Sequence, residues 1–382
     1  MRCALPLVLA ILFTSLPHAV GDEARADKHA TAAIRHAPNS LPPHPILDLV
    51  GHRADKNSVG HARNVALYTG EVPPFFFATH ELGDIFSAAR GQTIEWFPDH
   101  VVLDPRPPQP TNAPEPVTET RRVCVTKDDV VVCQIFLTNT SDKTAPHRIE
   151  IDGDCRRSFD WREKPAGDRF TERIGDRVLV RDTSVFPAFL TNGLSIAVGA
   201  SERPNDVQIS PPGTCQMFFS VPVSKHSTCS LILACAIHPD HRQAQKHLTA
   251  VLKQKEPLTE NRKEWAAFFD EAVPRFACSD RGLEELYAFR WFLLRFSTAG
   301  GDLGYFKYPV VLEGRQAYQT YCCYSAPFMA FDMNWAVDPK PGFGHIATMA
   351  HAAYDDGRFP WYTSPRTNKV QLHHESRTLA QS

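Results

Sequence analysis

Residues 214–255 read TCQMFFSVPVSKHSTCSLILACAIHPDHRQAQKHLTAVLKQK, and the period of the chain changes inside them. TCQMFFSVPVS and TCSLILACAI are short, β-branched or aromatic runs bounded by turn residues, which predicts strands. Beyond Pro239 the apolar residues fall at helical spacing. The strand signals continue upstream in VVVCQIFLTNTS, HRIEIDG, RVLVRD and LSIAVGA. Many short strands with such spacing predict an antiparallel β-sandwich, assigned to residues 61–239. Pro105–Pro116 holds six prolines and reads as an extended surface connection. Asn139-Thr140-Ser141 is a glycosylation sequon in a eukaryote and otherwise a turn.

Downstream, 240–278 reads as linker helices. His241–Lys255 is one; Glu260–Ala272 is another, with Thr259 as cap and Pro274 as stop. Asp280 is placed to cap Arg281–Phe296, where Leu283, Leu286, Tyr287, Trp291, Leu293 and Leu294 cover nearly the whole circumference and predict burial on most faces. Two further helices fit Pro327–Val337, stopped at Asp338-Pro339, and Pro341–Tyr354, followed by Gly357. Residues 279–382 therefore read as a helical domain.

The N-terminus has a basic Met1-Arg2, an apolar run Ala4–Leu16 and a small, Pro-interrupted Ser15–Gly21 before the first acids, the pattern of a secretory signal peptide over 1–21. The run is about half of the roughly 20 residues a membrane span requires, which argues against a retained anchor. A secreted or periplasmic protein is expected, with no membrane association after cleavage. Residues 22–60, rich in Ala, His and Pro, read as a loosely ordered leader.

The 382 residues carry 41 basic and 43 acidic side chains, a net charge of −2, and are 43% hydrophobic. That balance leaves no surplus for phosphate neutralisation and is too apolar for wholesale disorder, so nucleic-acid binding is not expected. Without Cys3 nine cysteines remain, an odd number, so at least one thiol is free or pairs outside the chain. A two-residue turn at Asp128-Asp129 would set Cys124 opposite Cys133 for a bridge; two buried free thiols is the other reading. Cys229 and Cys235, about 20 Å apart along one strand, cannot pair. No zinc-ribbon spacing occurs. His374-Glu375 lacks the second histidine of a zinc-protease motif, and Cys322-Cys323 with His345 and His351 lacks usual metal spacing, so no metal or other cofactor is expected.

KEWAAFFDEAVPRFACSD, then LYAFRWFLLRF, then PVVLEGRQAYQTYCCYSAPFMAFDMNWAVDP, then AAYDDGRFPW, following a β-sandwich, resembles the six-hairpin glycosidases, in the group containing mannosylglycerate hydrolase, glucosidase I and trehalase. The resemblance runs from about Val123 onward. It implies an inverting glycoside hydrolase with a β-sandwich packed on a toroid of twelve helices, acting without a cofactor on an oligosaccharide or small glycoside. Inversion needs two carboxyl groups about 6.5–9.5 Å apart, one giving a proton to the leaving oxygen and one activating water. Asp280–Ser382 spans 103 residues, whereas twelve helices need at least about 200, so the toroid is expected to be incomplete and the catalytic pair to fall beyond Ser382.

The resemblance assigns Glu313 and Asp332 to sugar hydroxyls; each also has a structural reading, Glu313 capping a helix or pairing with Arg315, Asp332 as a buried hydrogen-bonded acid. Tyr324, Trp335 and Trp361 offer aromatic faces for pyranose C–H surfaces, with core packing as the alternative, and Asp356 fits either a substrate loop or a helix terminus. Tyr321 is a weaker aromatic choice. Tyr324-Ser325 stands where many family members have Trp-Asp, which bears on sugar specificity. The expected partners are a carbohydrate substrate and the rest of the toroid. The rival reading is a non-catalytic carbohydrate-binding or architectural sandwich module whose helical tail docks onto a separate chain.

Overall fold

A computed structural model of the protein describes residues 41–51, 86–105, 116–154, 169–182, 194–209, 214–238, 240–299, 306–313, 321–322, 324–360 and 362–363. The signal-peptide residues, Trp361 and the His374-Glu375 pair lie outside them.

The strands are β1 (Gln92–Trp96), β2 (Val101–Asp104), β3 (Val117–Val125), β4 (Val130–Asn139), β5 (Ala145–Asp154), β6 (Arg169–Ile174), β7 (Arg177–Asp182), β8 (Leu194–Ala200), β9 (Asp206–Gln208), β10 (Thr214–Val223) and β11 (Ser227–His238). They form an antiparallel eight-stranded sheet, ordered β1-β2-β3-β4-β11-β8-β7-β6, and a three-stranded sheet, β5-β10-β9. Ile149, Ile151, Met217 and Phe219 of the small sheet share one core with Cys133, Ile135, Leu231 and Leu233 of the large one. This is the expected sandwich.

Strands β4 and β11 sit at the centre of the large sheet because both of their faces are apolar. In β11, Leu231, Leu233, Cys235 and Ile237 join the sandwich core, while Ile232, Ala234 and Ala236 face the other way. There Ala244, Leu248 and Val251 of helix α2 (His241–Leu252) cover them. Small alanines let the helix approach, and each fully buried Leu or Ile contributes about 1.5–3 kcal/mol. The change of period after Pro239 is thus a strand followed by the helix that folds back over the same sheet.

The turn joining β3 to β4 is one residue longer than expected. Thr126 N–H donates to Val130 C=O at 2.9 Å, and Asp129 lies at φ 57°, closing a three-residue loop over residues 127–129. The extra residue slips the register, so that Cys124 opposes Val132 and Cys133 opposes Val123. The two thiols fall on opposite faces, in separate cores. Cys124 and Cys133 are two buried free thiols, as in the second of the two readings. Burial pushes the Cys133 thiol up to about 12 and raises Cys124 too. Asn139 is buried as a turn brace, its amide donating to Lys143 C=O at 2.8 Å and Val223 C=O at 2.9 Å.

The stretch read as a loosely ordered leader contains an ordered helix, α1 (Pro45–Val50), with Leu47 and Val50 buried. Arg262, itself buried, holds it by pairing with Asp48 and with Asp99 at 3.0 Å. Burial works to raise the Asp99 pKa, but the charge and hydrogen bond of His100, with the Arg262 guanidinium, hold it below the usual carboxylate value.

Helix α3 (Pro257–Ala267) starts three residues earlier than expected. Pro257, whose missing N–H costs nothing at a first helical position, sets the start in place of a Thr259 cap. The helix runs into a π turn, Phe268–Ala272. Helix α4 (Arg281–Phe296) is capped by Asp280, which accepts from Gly282 N–H at 2.8 Å and Leu283 N–H at 3.3 Å. Its C-terminal half is buried through Trp291, Phe292, Leu294 and Phe296, with Phe292 edge-on to Trp96 at 5.0 Å. Leu283 and Leu286, expected inside, are 47% and 43% exposed.

Candidate functional site

The helical part after Asp280 carries every residue singled out for sugar binding. Helix α4 leads into β12 (Thr298–Ala299), which pairs with β13 (Val310–Val311). Beyond lie β14 (Tyr321–Cys322), α5 (Ala326–Met333) and α6 (Lys340–Ala352), then β15 (Tyr362–Thr363), which returns to pair with β14. Both helices are shorter at the C-terminus than their patterns suggest; α5 gives way to turns at Asn334–Val337, where Val337 N–H donates to Ala272 C=O at 3.1 Å.

Helix α6 is locked onto β13. His345 is fully buried, and its Nε2 accepts Val311 N–H at 2.6 Å. Burial depresses its pKa to about 3, so the imidazole is neutral and acts as an acceptor. Next to it, a Cβ on Gly344 would lie 2.0 Å from Pro309 C=O; the strand crosses the helix only because that residue has no side chain.

Glu313 follows β13. Enclosure of its carboxyl raises its pKa, while a hydrogen bond with Cys322 at the end of β14 pulls the other way. The bond brings Glu313 to the β14-β15 ladder, where Cys322 faces Tyr362. No ion pair neutralises this carboxyl among the described residues, and the expected pairing partner Arg315 lies outside them. A carboxyl that keeps its proton to higher pH is a better proton or hydrogen-bond donor.

Asp332, on α5, is half-buried and held by Arg290 of α4, whose Nε donates at 3.0 Å and whose terminal nitrogen also donates to the same oxygen. The pair ties the two helices together and leaves the other carboxylate oxygen without a hydrogen-bond partner among the described residues. Sequence reasoning does not single out Arg290, although a cation inside the apolar run LYAFRWFLLRF is a signal that an acid is nearby. Asp356 is exposed in a tight turn where Tyr354 N–H donates to Arg358 C=O at 2.8 Å. It binds the Arg358 side chain and backbone, and those hydrogen bonds hold its pKa below the usual value. Its geometry is that of a turn brace. No hydrogen bond joins Glu313, Asp332 and Asp356 to one another among the described residues.

Two of the aromatic candidates, Tyr324 and Trp335, are on the surface. Trp335 is 71% exposed, and Tyr324 stands half out of the protein, edge-on to Phe328 at 6.3 Å. Phe331, which sequence reasoning passes over, is 63% exposed. Phe328, Phe331 and Trp335 recur at i, i+3 and i+7, one face along α5 and the turn that follows it, with Asp332 beside them. Phe343 and Ile346 form a similar exposed pair on α6. Among the described residues no group of three His, Cys, Asp or Glu side chains could hold a metal, and no helix is long and apolar enough to cross a membrane.

No family model matches the chain. No curated protein sequence matches it either. Among solved structures the chain is distantly similar to a protein described as a kojibiose phosphorylase from the human microbiome, at 11% identity over 71% of this chain and 37% of that one, TM-score 0.48. A bacterial glucoamylase complexed with acarbose matches at 11% identity over 76% of this chain and 45% of its own, TM-score 0.44. A family GH92 α-mannosidase from Bacteroides thetaiotaomicron matches at 10% identity over 74% of this chain and 40% of its own, TM-score 0.45. The chain thus spans less than half the length of each of these proteins.

Proposed function

We propose that this chain is the sandwich and first helical hairpins of a six-hairpin-type glycoside hydrolase and that it recognises a neutral oligosaccharide on the exposed aromatic face of α5. The observation that carries this reading is the row Phe328, Phe331 and Trp335, flanked by Tyr324 and by Asp332 with its open carboxylate oxygen. Aromatic faces accept pyranose C–H surfaces, and an oriented carboxylate accepts sugar hydroxyls, so the pair supplies both contacts a sugar ring needs. Glu313, beside the β14-β15 ladder, adds a polar group. Export through an N-terminal signal belongs to the same proposal.

Calorimetric titration with gluco- and manno-configured oligosaccharides tests it, with the released anomer followed by proton NMR. Saturable binding weakened about tenfold in Trp335→Ala supports the reading. Turnover by this chain alone would place the catalytic pair within it. The rival reading, a module that docks by its helices, is favoured by the aliphatic members of the exposed surface, Leu283, Leu286, Val337 and Ile346, which do not stack on sugars. It predicts association of the helical face with a separate chain, no turnover, and no sugar bound at α5.

A further inference from the structure

On the helix-covered face of the large sheet, well apart in sequence from α5, lies a cleft of about 260 Å³ between α2, β7 and β8. Its floor includes Leu179, Ala197 and Leu248, members of the buried core beneath α2. Its rim carries Arg177, Arg242 and Lys246, and no carboxylate is among the described residues that line it. Arg242 and Lys246 are one turn apart on α2, a like-charged i, i+4 pair that costs a few tenths of a kcal/mol on its own. Arg177 of β7 is a third cation lining the same cleft. The nearest acids in sequence are engaged elsewhere: Asp240 caps α2 through the Arg242 backbone N–H at 2.8 Å, and Asp176 pairs with Arg203 at 3.4 Å.

The cationic rim is built into the packing. Arg177 donates one N–H to Thr249 at 2.5 Å, and the Thr249 hydroxyl donates its own proton to Gln245 C=O at 2.7 Å, which fixes the guanidinium while leaving its other N–H groups unbonded among the described residues. Gly199 of β8 makes room: a Cβ there would lie 3.3 Å from both the Arg177 stem and Leu248. A held guanidinium and two further cations give the cleft a cationic lining, with Glu172 of β6, the cross-strand partner of Leu179, on the same face beside it, and guanidinium groups match the oxygens of phosphate and carboxylate.

We infer that the cleft bounded by Arg177, Arg242 and Lys246 binds a small oxyanion-bearing ligand, a phosphate or carboxylate group, either free or carried on a sugar. The inference does not depend on sugar recognition at α5. Its test is calorimetry of the full chain at low ionic strength with inorganic phosphate, glucose 6-phosphate, glucuronate and glucose. The anionic probes bind more tightly than glucose, and the Arg242→Gln/Lys246→Gln double variant, altered only at exposed positions, loses that advantage by about tenfold or more. Trp335→Ala leaves it unchanged. Equal affinity for phosphate and glucose 6-phosphate identifies the free oxyanion as the ligand; tighter binding of the sugar-borne anion identifies the anionic sugar. Absence of anion binding up to about 10 mM, or anion binding equally strong in the double variant, overturns the proposal.

Discussion

Two buried or half-buried groups set the behaviour of the helical part at the residue scale. Asp332 is joined to Arg290 by two hydrogen bonds across α4 and α5, in a position half open to water. Replacing it by Ala removes a partly screened pair, an expected loss of about 1 kcal/mol in chemical denaturation, and, if its open oxygen accepts a sugar hydroxyl, also weakens sugar binding. Asp332→Asn restores binding partly because an amide oxygen still accepts; a purely structural role would leave affinity unmoved in both variants. His345 is the second group. Its folded pKa of about 3 lies below the unfolded value of 6.5, so below pH 6.5 the unfolded chain takes up a proton that the folded chain refuses. The stability it supports is complete above 6.5 and is lost progressively as pH falls toward 3. His345→Leu is expected to cost about 1–3 kcal/mol at neutral pH by stranding Val311 N–H, and to flatten the acid limb of the stability profile between those values.

At the scale of elements, the contact between α6 and β13 rests on a missing side chain. Gly344→Ala is expected to destabilise the protein by about 1–3 kcal/mol or more, read as a lower denaturation midpoint, because Pro309 C=O occupies the new methyl's place. That contact is not visible in sequence, where Gly344 reads only as a weak point in a helix. What is visible is the part governed by period. β4 and β11 are apolar on successive residues because each face meets a different layer, and the switch to helical spacing at Pro239 marks α2. The Asp280 cap is equally legible, since one side chain and the next two N–H groups suffice to make it. The β3-β4 register is not, because a turn of two or three residues reads alike until backbone torsion at Asp129 decides it. α1 escapes notice for a different reason: six residues show no period, and what holds the helix, Arg262 on Asp48 and the core around Leu47 and Val50, lies far away in sequence. The candidate site is legible by residue type but not by role. Asp356 braces its own turn, whereas Asp332 has a partner that apolar patterning hides.

For the whole molecule, the asymmetry of burial is the leading feature. The sandwich buries most of its large apolar residues on both faces of the large sheet, whereas α4, α5 with the turn after it, and α6 present Leu283, Leu286, Phe331, Trp335, Phe343 and Ile346 to solvent. Soluble monomers seldom leave that much large apolar surface open without a ligand or partner for it. Sedimentation velocity should therefore show concentration-dependent association, reduced in a Phe331→Glu/Phe343→Glu variant whose circular dichroism is unchanged; a strictly monomeric wild type would remove this expectation. Sugar recognition and association draw on overlapping residues, so a bound oligosaccharide should compete with association at Trp335. The most direct measurement is calorimetric titration of the 382-residue chain with neutral gluco- and manno-oligosaccharides. Recognition on the aromatic face of α5 predicts saturable binding that falls about tenfold in Trp335→Ala. Absence of binding to any of them, or binding indifferent to that substitution, would contradict it.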